Sequence, residues 1–263
     1  MSEDQNVDTF QKVPTGIDGL DEITGGGLPK GRTTLICGSA GTGKTLLSME
    51  FLVKGSVQFS EPSVFVWFEE TPEKLIQNFS SLGYDLKDLS ERKSISFIHI
   101  PIKPYELREA GEYDLEGLFT RIGHAIDSIG AKRIAIDAID ALFLGLPDTP
   151  TLRQEIRRLF GLYASLENKG VTSIITGERG DTKLTRWGFE EYVSDCVILL
   201  EQWVVDKLMT RTMRIVKYRG TSHGTDEYPF LIDEKNLSVL PITSIKLEYE
   251  ASYLTFRLFA NKV

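Results

Sequence analysis

Gly38-Ser-Ala-Gly-Thr-Gly-Lys-Thr45, GSAGTGKT, is the stretch on which the fold turns. It satisfies G-x-x-x-x-G-K-[ST] in full. An apolar run, Thr33 to Cys37, precedes it, and Leu46, Leu47, Phe51 and Leu52 follow at helical spacing. Strand, glycine loop and helix start, in that order, make a cradle for phosphates. The glycines let backbone N–H groups of Ser39, Ala40, Gly41, Thr42 and Gly43 turn inward, and the helix N-terminus adds partial positive charge. Lys44 is expected to reach the β- and γ-phosphates of a nucleoside triphosphate, and Thr45 to hold Mg²⁺ through its hydroxyl.

Working outward, strands and helices alternate. Helix is predicted over 44–57, strand over Val64–Phe68 and helix from Pro72 to about Leu82, capped by Thr71. Strand follows over 95–100, a charged loop over 101–113 and a helix from an Asp114 cap to about Ser128. Arg133–Asp137 reads as strand, Thr151–Asn168 as amphipathic helix and Val171–Thr176 as strand. The alternation predicts an α/β fold: a mainly parallel sheet with helices on both faces. After residue 193 four strand-like runs (VSDCVILLEQW, TRTMRIVKY, EYPFLID, NLSVLPI) leave no room for helices, so the sheet is expected to end in antiparallel hairpins. Residues 1–10 read as a polar arm, 11–243 as one domain and 244–263 as a tail or the start of a linker.

Composition narrows the function. The 263 residues are 41% hydrophobic and 26% charged, as a packed soluble protein is, with a net charge of −8. A protein that coats nucleic acid carries a basic excess instead. Cys37 and Cys196 sit in apolar runs and read as buried thiols. The acidic start MSEDQNVDTF is no signal peptide and no apolar run is long enough to span a bilayer, so the expected location is the cytoplasm.

Acids complete the chemistry. Asp137 ends the apolar run RIAID, as a magnesium-anchoring aspartate does downstream of a phosphate loop; alone it would read equally well as a strand-end residue. Glu69 and Glu70 follow the run VFVWF at once. Strand alternation would aim one of them at the γ-phosphate as the group that orients or deprotonates water, and Glu69 is the favoured one. Late in the chain, KYRGTSH (217–223) gathers Lys217, Arg219 and His223. These cations read either as a solvated hairpin or as half of an anion site.

Together TGIDGLDEITGGGLPKG, GSAGTGKT, VWFEETPE, RIAIDA, GERG…RWGFEEYVSD and KYRGTSHGTDEYPF resemble the RecA-like P-loop ATPases of the KaiC type. They are most similar to the first of the two ATPase domains that circadian clock proteins of this type carry. The resemblance runs from about residue 10 to 243. It implies a hexameric ring with ATP bound between subunits on the segment 39–46, which includes Leu46. It further implies that Lys217 and Arg219 face the neighbouring subunit's γ-phosphate, Arg219 as an arginine finger, with Tyr218, Thr221 and His223 along the same nucleotide. Ser81 matches a position near the base or ribose.

Three activities compete: a slow regulatory ring ATPase, a DNA recombination or repair ATPase, and an autokinase. The stretch Gly177–Asp195 holds three basic residues against five acidic ones, which repels phosphates, so no nucleic acid partner is expected. The Ser-Thr acceptor pair of the autokinase domain is matched by Glu190 and Glu191, which form no stable phosphoester. Thr243-Ser244 lies outside that motif. The resemblance also implies that Ile102–Tyr113 is where the small partner KaiB docks after hydrolysis. The chain is expected to be either a single-domain homologue or the first half of a two-domain protein.

Overall fold

A computed structural model describes residues 10–101, 115–143, 149–180, 183–186, 188, 190–205, 207–233 and 236–241. The Asp114 cap, the segment Ile102–Tyr113 and the tail 244–263 lie outside them.

Nine strands form the main sheet: β3 (Thr33–Gly38), β4 (Ser63–Trp67), β5 (Ile95–His99), β6 (Arg133–Asp137), β7 (Thr172–Glu178), β8 (Cys196–Val205), β9 (Leu208–Tyr218), β10 (Glu227–Ile232) and β11 (Leu237–Val239). Their spatial order is β11-β10-β9-β8-β3-β7-β6-β4-β5. From β8 to β5 every pairing is parallel, and from β8 outward to β11 every pairing is antiparallel. This is the mostly parallel sheet with antiparallel C-terminal strands that the sequence pattern predicts.

The parallel strands are apolar on both faces, as strands covered by helices on each side must be. Leu35 and Cys37 of β3, Val64 and Val66 of β4, and Ile134 and Ile136 of β6 join one core with Ile122, Ile126, Leu159 and Leu162. Those four sit on α5 (Leu115–Ile129) and α6 (Thr149–Asn168). Ile36, Phe65, Trp67 and Ala135 point the other way, into a core with Leu47, Phe51, Leu75 and Phe79. These belong to α2 (Lys44–Gln58) and α3 (Pro72–Ser81). Thr71 caps α3 as expected, its hydroxyl 3.5 Å from the Lys74 N–H.

Short elements at three places escape a reading by periodicity. A two-stranded ribbon of β1 (Lys12–Val13) and β2 (Leu28–Pro29) closes around α1 (Leu20–Ile23). One and a half turns, α4 (Leu86–Glu91), follow Asp85, whose side chain caps them. Another turn, α7 (Glu190–Val193), lies in the connection between β7 and β8. Each is too short to show a helical repeat.

Candidate nucleotide-binding site

Because β3, β4, β6 and β7 run parallel and adjacent, their carboxyl ends meet at one edge of the sheet. That edge is where open α/β sheets bind ligands. Gly38 lies opposite Glu178, and Trp67 opposite Asp137.

Residues 39–43 leave β3 and enter α2 at Lys44. Gly43 has a φ of +101°, a conformation that side chains resist. A Cβ there would also sit 2.9 Å from Cδ1 of Ile232. No side chain caps α2, so its first-turn N–H groups and dipole face the loop. Lys44 is buried, and its Nζ donates to Gly38 O (2.8 Å), Ser39 O (3.1 Å) and Glu178 Oε1 (2.7 Å). Leu46, one turn in, packs partly buried on the core beneath the loop. A glycine-lined turn, a helix start and a lysine aimed into it fit the phosphates of a nucleotide.

Beside the lysine, Thr45 Oγ1 donates to Asp137 Oδ2 at 2.8 Å, and Thr176 Oγ1 donates to Asp137 Oδ1 at 2.5 Å. Asp137 keeps some contact with solvent, yet enclosure by the surrounding strands pushes its carboxyl above the ordinary range. The two hydroxyls and Lys44 oppose that shift. A hydroxyl and a carboxylate side by side are the oxygen donors that Mg²⁺ takes, so this pair fits the metal.

Glu69 and Glu70 lie in the turn after β4, not on the strand, so strand alternation does not decide between them. Their surroundings do differ. Glu69 feels Asp137, Glu178 and Lys44, and partial dehydration in the cleft, then the neighbouring acids, raise its carboxyl above the usual value. Glu70 is raised chiefly by dehydration and then by Asp137, but Asn78 Nδ2 donates to its Oε2 at 2.9 Å and ties it to α3. Its main-chain oxygen accepts from the Trp67 indole at 2.8 Å.

The late cations stand elsewhere. Tyr218 lies opposite Cys196 on β8, whereas Gly38 lies opposite Leu200. The four residues between those rungs span about 13 Å, and Arg219 continues away from the phosphate loop. Lys217 Nζ donates to Glu191 O (2.7 Å) and Ser194 O (2.6 Å), and Arg219 Nη2 to Tyr192 O (3.2 Å), so α7 and its exit hold both. Arg219 Nη1 is also 3.8 Å from Asp195 Oδ1. Partial burial, and then Arg219, lower the pKa of Lys217. Thr221 and His223 hydrogen-bond within their own turn. Tyr218 is buried with its hydroxyl on Gly27 O at 2.7 Å, so its side chain serves the core. Ser81 ends α3 in the open, its hydroxyl on Asn78 O.

Glu178 carries no signature in the sequence beyond its charge. Its pairing with Lys44 comes from the β3–β7 register, and that register carries no local signature. The same holds of Asp140; its Oδ2 accepts the Glu178 N–H at 2.6 Å. Among the described residues no helix is long and apolar enough to cross a membrane.

A family model described as "ATPase: KaiC" matches residues 13–244. The circadian clock protein KaiC2 of Synechocystis sp. (strain ATCC 27184 / PCC 6803 / Kazusa) is 56% identical over 252 residues, which cover 96% of this chain and 44% of that protein. The circadian clock oscillator protein KaiC of Prochlorococcus marinus (strain MIT 9313) is 41% identical over 244 residues, 92% of this chain and 48% of that protein. KaiC3 of the same Synechocystis strain is 39% identical over 253 residues, 95% and 49% of the two chains. The chain thus spans about half the length of these relatives.

Proposed function

The chain belongs to the KaiC ATPase family, and on that premise we propose that it is a slow regulatory ATPase whose site is shared between copies of itself in a six-membered cytoplasmic ring. The observation that carries the reading is the register of β8 and β9. It sets Lys217 about 10 Å, and Arg219 more than about 13 Å, along the sheet from the phosphate loop of their own chain, so a phosphate seated on Lys44 meets Arg219 only across a contact between subunits.

In this reading residues 39–46 wrap the phosphates of ATP and Lys44 binds its β- and γ-phosphates. Mg²⁺, held by Thr45 and through water by Asp137, would neutralise charge on the same phosphates. Glu69 orients the attacking water and takes its proton at a carboxylate oxygen. Arg219 of the neighbouring copy, next to Lys217, bears on the charge that builds on the γ-phosphate. Thr221 and His223 of that copy, with the Tyr218 backbone, follow the rest of the nucleotide, and Ser81 lies toward the base or ribose.

Carboxylates at the autokinase acceptor positions, Glu190 and Glu191, support hydrolysis over self-phosphorylation. The output would be a partner: a small thioredoxin-like protein resembling KaiB, docking on Ile102–Tyr113 and preferring the ADP ring. Loss of the γ-phosphate would release Lys217 and Arg219 and shift that surface. Light scattering after size exclusion, with and without ATP and Mg²⁺, and phosphate release from the same fractions test the core of this reading. Turnover confined to the large species is expected; equal turnover by monomers would refute a shared site. Calorimetric titration of a KaiB homologue into ADP rings and into rings held by a non-hydrolysable ATP analogue tests the partner, and equal affinity would end the coupling.

A further inference from the structure

Lys44 is fully engaged by acceptors of its own chain. Its ammonium has three hydrogens and meets three acceptors: Gly38 O, Ser39 O and Glu178 Oε1. A phosphate that reaches Lys44 must take one of these places. The two carbonyls belong to the backbone of the phosphate loop and its strand. Glu178 is the acceptor that can leave, because its carboxylate rides on a rotatable side chain that is 36% exposed. Phosphate and carboxylate also repel each other at this distance.

The Glu178 backbone is itself hydrogen-bonded on both sides. Its N–H donates to Asp140 Oδ2 at 2.6 Å, and its carbonyl accepts from the Arg186 N–H at 2.9 Å. Beside Arg186, Thr185 Oγ1 donates to Glu191 Oε2 at 2.7 Å, and the Glu191 carbonyl accepts from Lys217 Nζ at 2.7 Å. Hydrogen bonds, and the covalent chain between them, therefore connect Lys44 through Glu178, Arg186, Thr185 and Glu191 to Lys217 at the far end of the sheet.

We propose that Glu178 is a competing carboxylate that holds Lys44 until the γ-phosphate of ATP expels it, and that its expulsion reports the occupancy of this site, through residues 185–191, to Lys217. The proposal rests on the ATP-binding reading above. Glu178 is a positioning residue with two states, on Lys44 and off it, and nucleotide biases the choice. ADP, lacking the third phosphate, competes less.

The test is calorimetric titration of the intact chain and its Glu178→Gln variant with ADP and with a non-hydrolysable ATP analogue, both with Mg²⁺. The variant should bind the analogue about tenfold more tightly, since it loses a charged competitor, and its gain for ADP should be smaller. Equal changes for both nucleotides, or weaker binding of both, would mark Glu178 as merely structural and overturn the proposal. A wild-type chain that binds neither nucleotide would overturn the ATP reading and this proposal with it, which separates the two failures. Glu178→Ala, which removes the carboxylate altogether, gives the same readout if the glutamine variant does not fold. Amide exchange reads the relay. The analogue should alter exchange across 183–195 in wild type, and nucleotide-free Glu178→Gln should already show the altered pattern. Unchanged exchange in both would overturn the relay.

Discussion

The two ends of the sheet handle charge in opposite ways. At the carboxyl end of the parallel strands, charges close on one another: Lys44 on Glu178, Asp137 on Thr45 and Thr176. At the other end, main-chain carbonyls of α7 and its exit orient Lys217 and Arg219, and the nearest counter-charge is Asp195, 3.8 Å from Arg219 and shared with Arg32. The first end is a site built within one chain. The second presents two cations held mainly by main-chain oxygens. A ring whose subunits meet head to tail would bring the two together.

Breaking the first end should have the largest effect. Lys44→Ala removes the only cation of the phosphate loop. Nucleotide affinity should fall by a hundredfold or more, since about 3 kcal/mol is at stake in a charged contact of this kind. Assembly should fall with it if the nucleotide is part of the interface. Titration and light scattering measure both, and unchanged ATP affinity would remove the site from this loop.

Breaking the second end should spare binding and strike turnover. Arg219→Ala is expected to slow hydrolysis by about 10³, in the range of arginine fingers. Mixing it with Lys44→Ala should restore part of the activity, because some interfaces then pair an intact loop with an intact finger. No recovery in verified mixed rings would return Arg219 to its own chain or to solvent.

A smaller loss, about 10², is expected for Glu69→Gln with binding retained. Glu70, tied to Asn78, should tolerate the same change better. A slower Glu70→Gln would exchange their roles.

How legible these ends were from sequence follows from how local each one is. The phosphate loop announces itself in eight consecutive residues because its glycines, lysine and threonine act through one turn. Asp137 is readable because a strand end delivers it, and the parallel core is readable because both faces of β3, β4 and β6 are apolar. Glu178 was not legible: its role depends on which strand lies beside β3, a fact set by packing over more than a hundred residues. Glu69 and Glu70 were half legible. Their place after β4 was clear, but the turn that separates their surroundings was not, and it replaces the alternation expected of a strand. The cations of β9 were legible as charge, while their distance from the loop emerged only with the register of β8.

The smallest effect is a contrast in pH. Asp137 and Glu69 are held above their ordinary values of 3.8 and 4.5. A carboxyl raised by folding binds its proton more tightly in the native chain than in the unfolded one. Stability of the nucleotide-free chain should therefore fall as pH rises from the ordinary value through the raised one, and be regained on acidification across the same window. Hydrolysis should move the other way there, because Glu69 works only when deprotonated, so the acidic limb of the rate profile should lie above pH 4.5. At the far end Lys217 is lowered from 10.5. The unfolded chain there keeps its proton longer than the native one, so stability should rise with pH across the window that ends at 10.5. Lys217→Met should diminish that alkaline rise, to which Lys12, lowered by burial in the same way, also contributes, and leave the acidic window as it was. Thermal melting across both windows reads the contrast, and an alkaline rise that survives undiminished in Lys217→Met would place its source in another group.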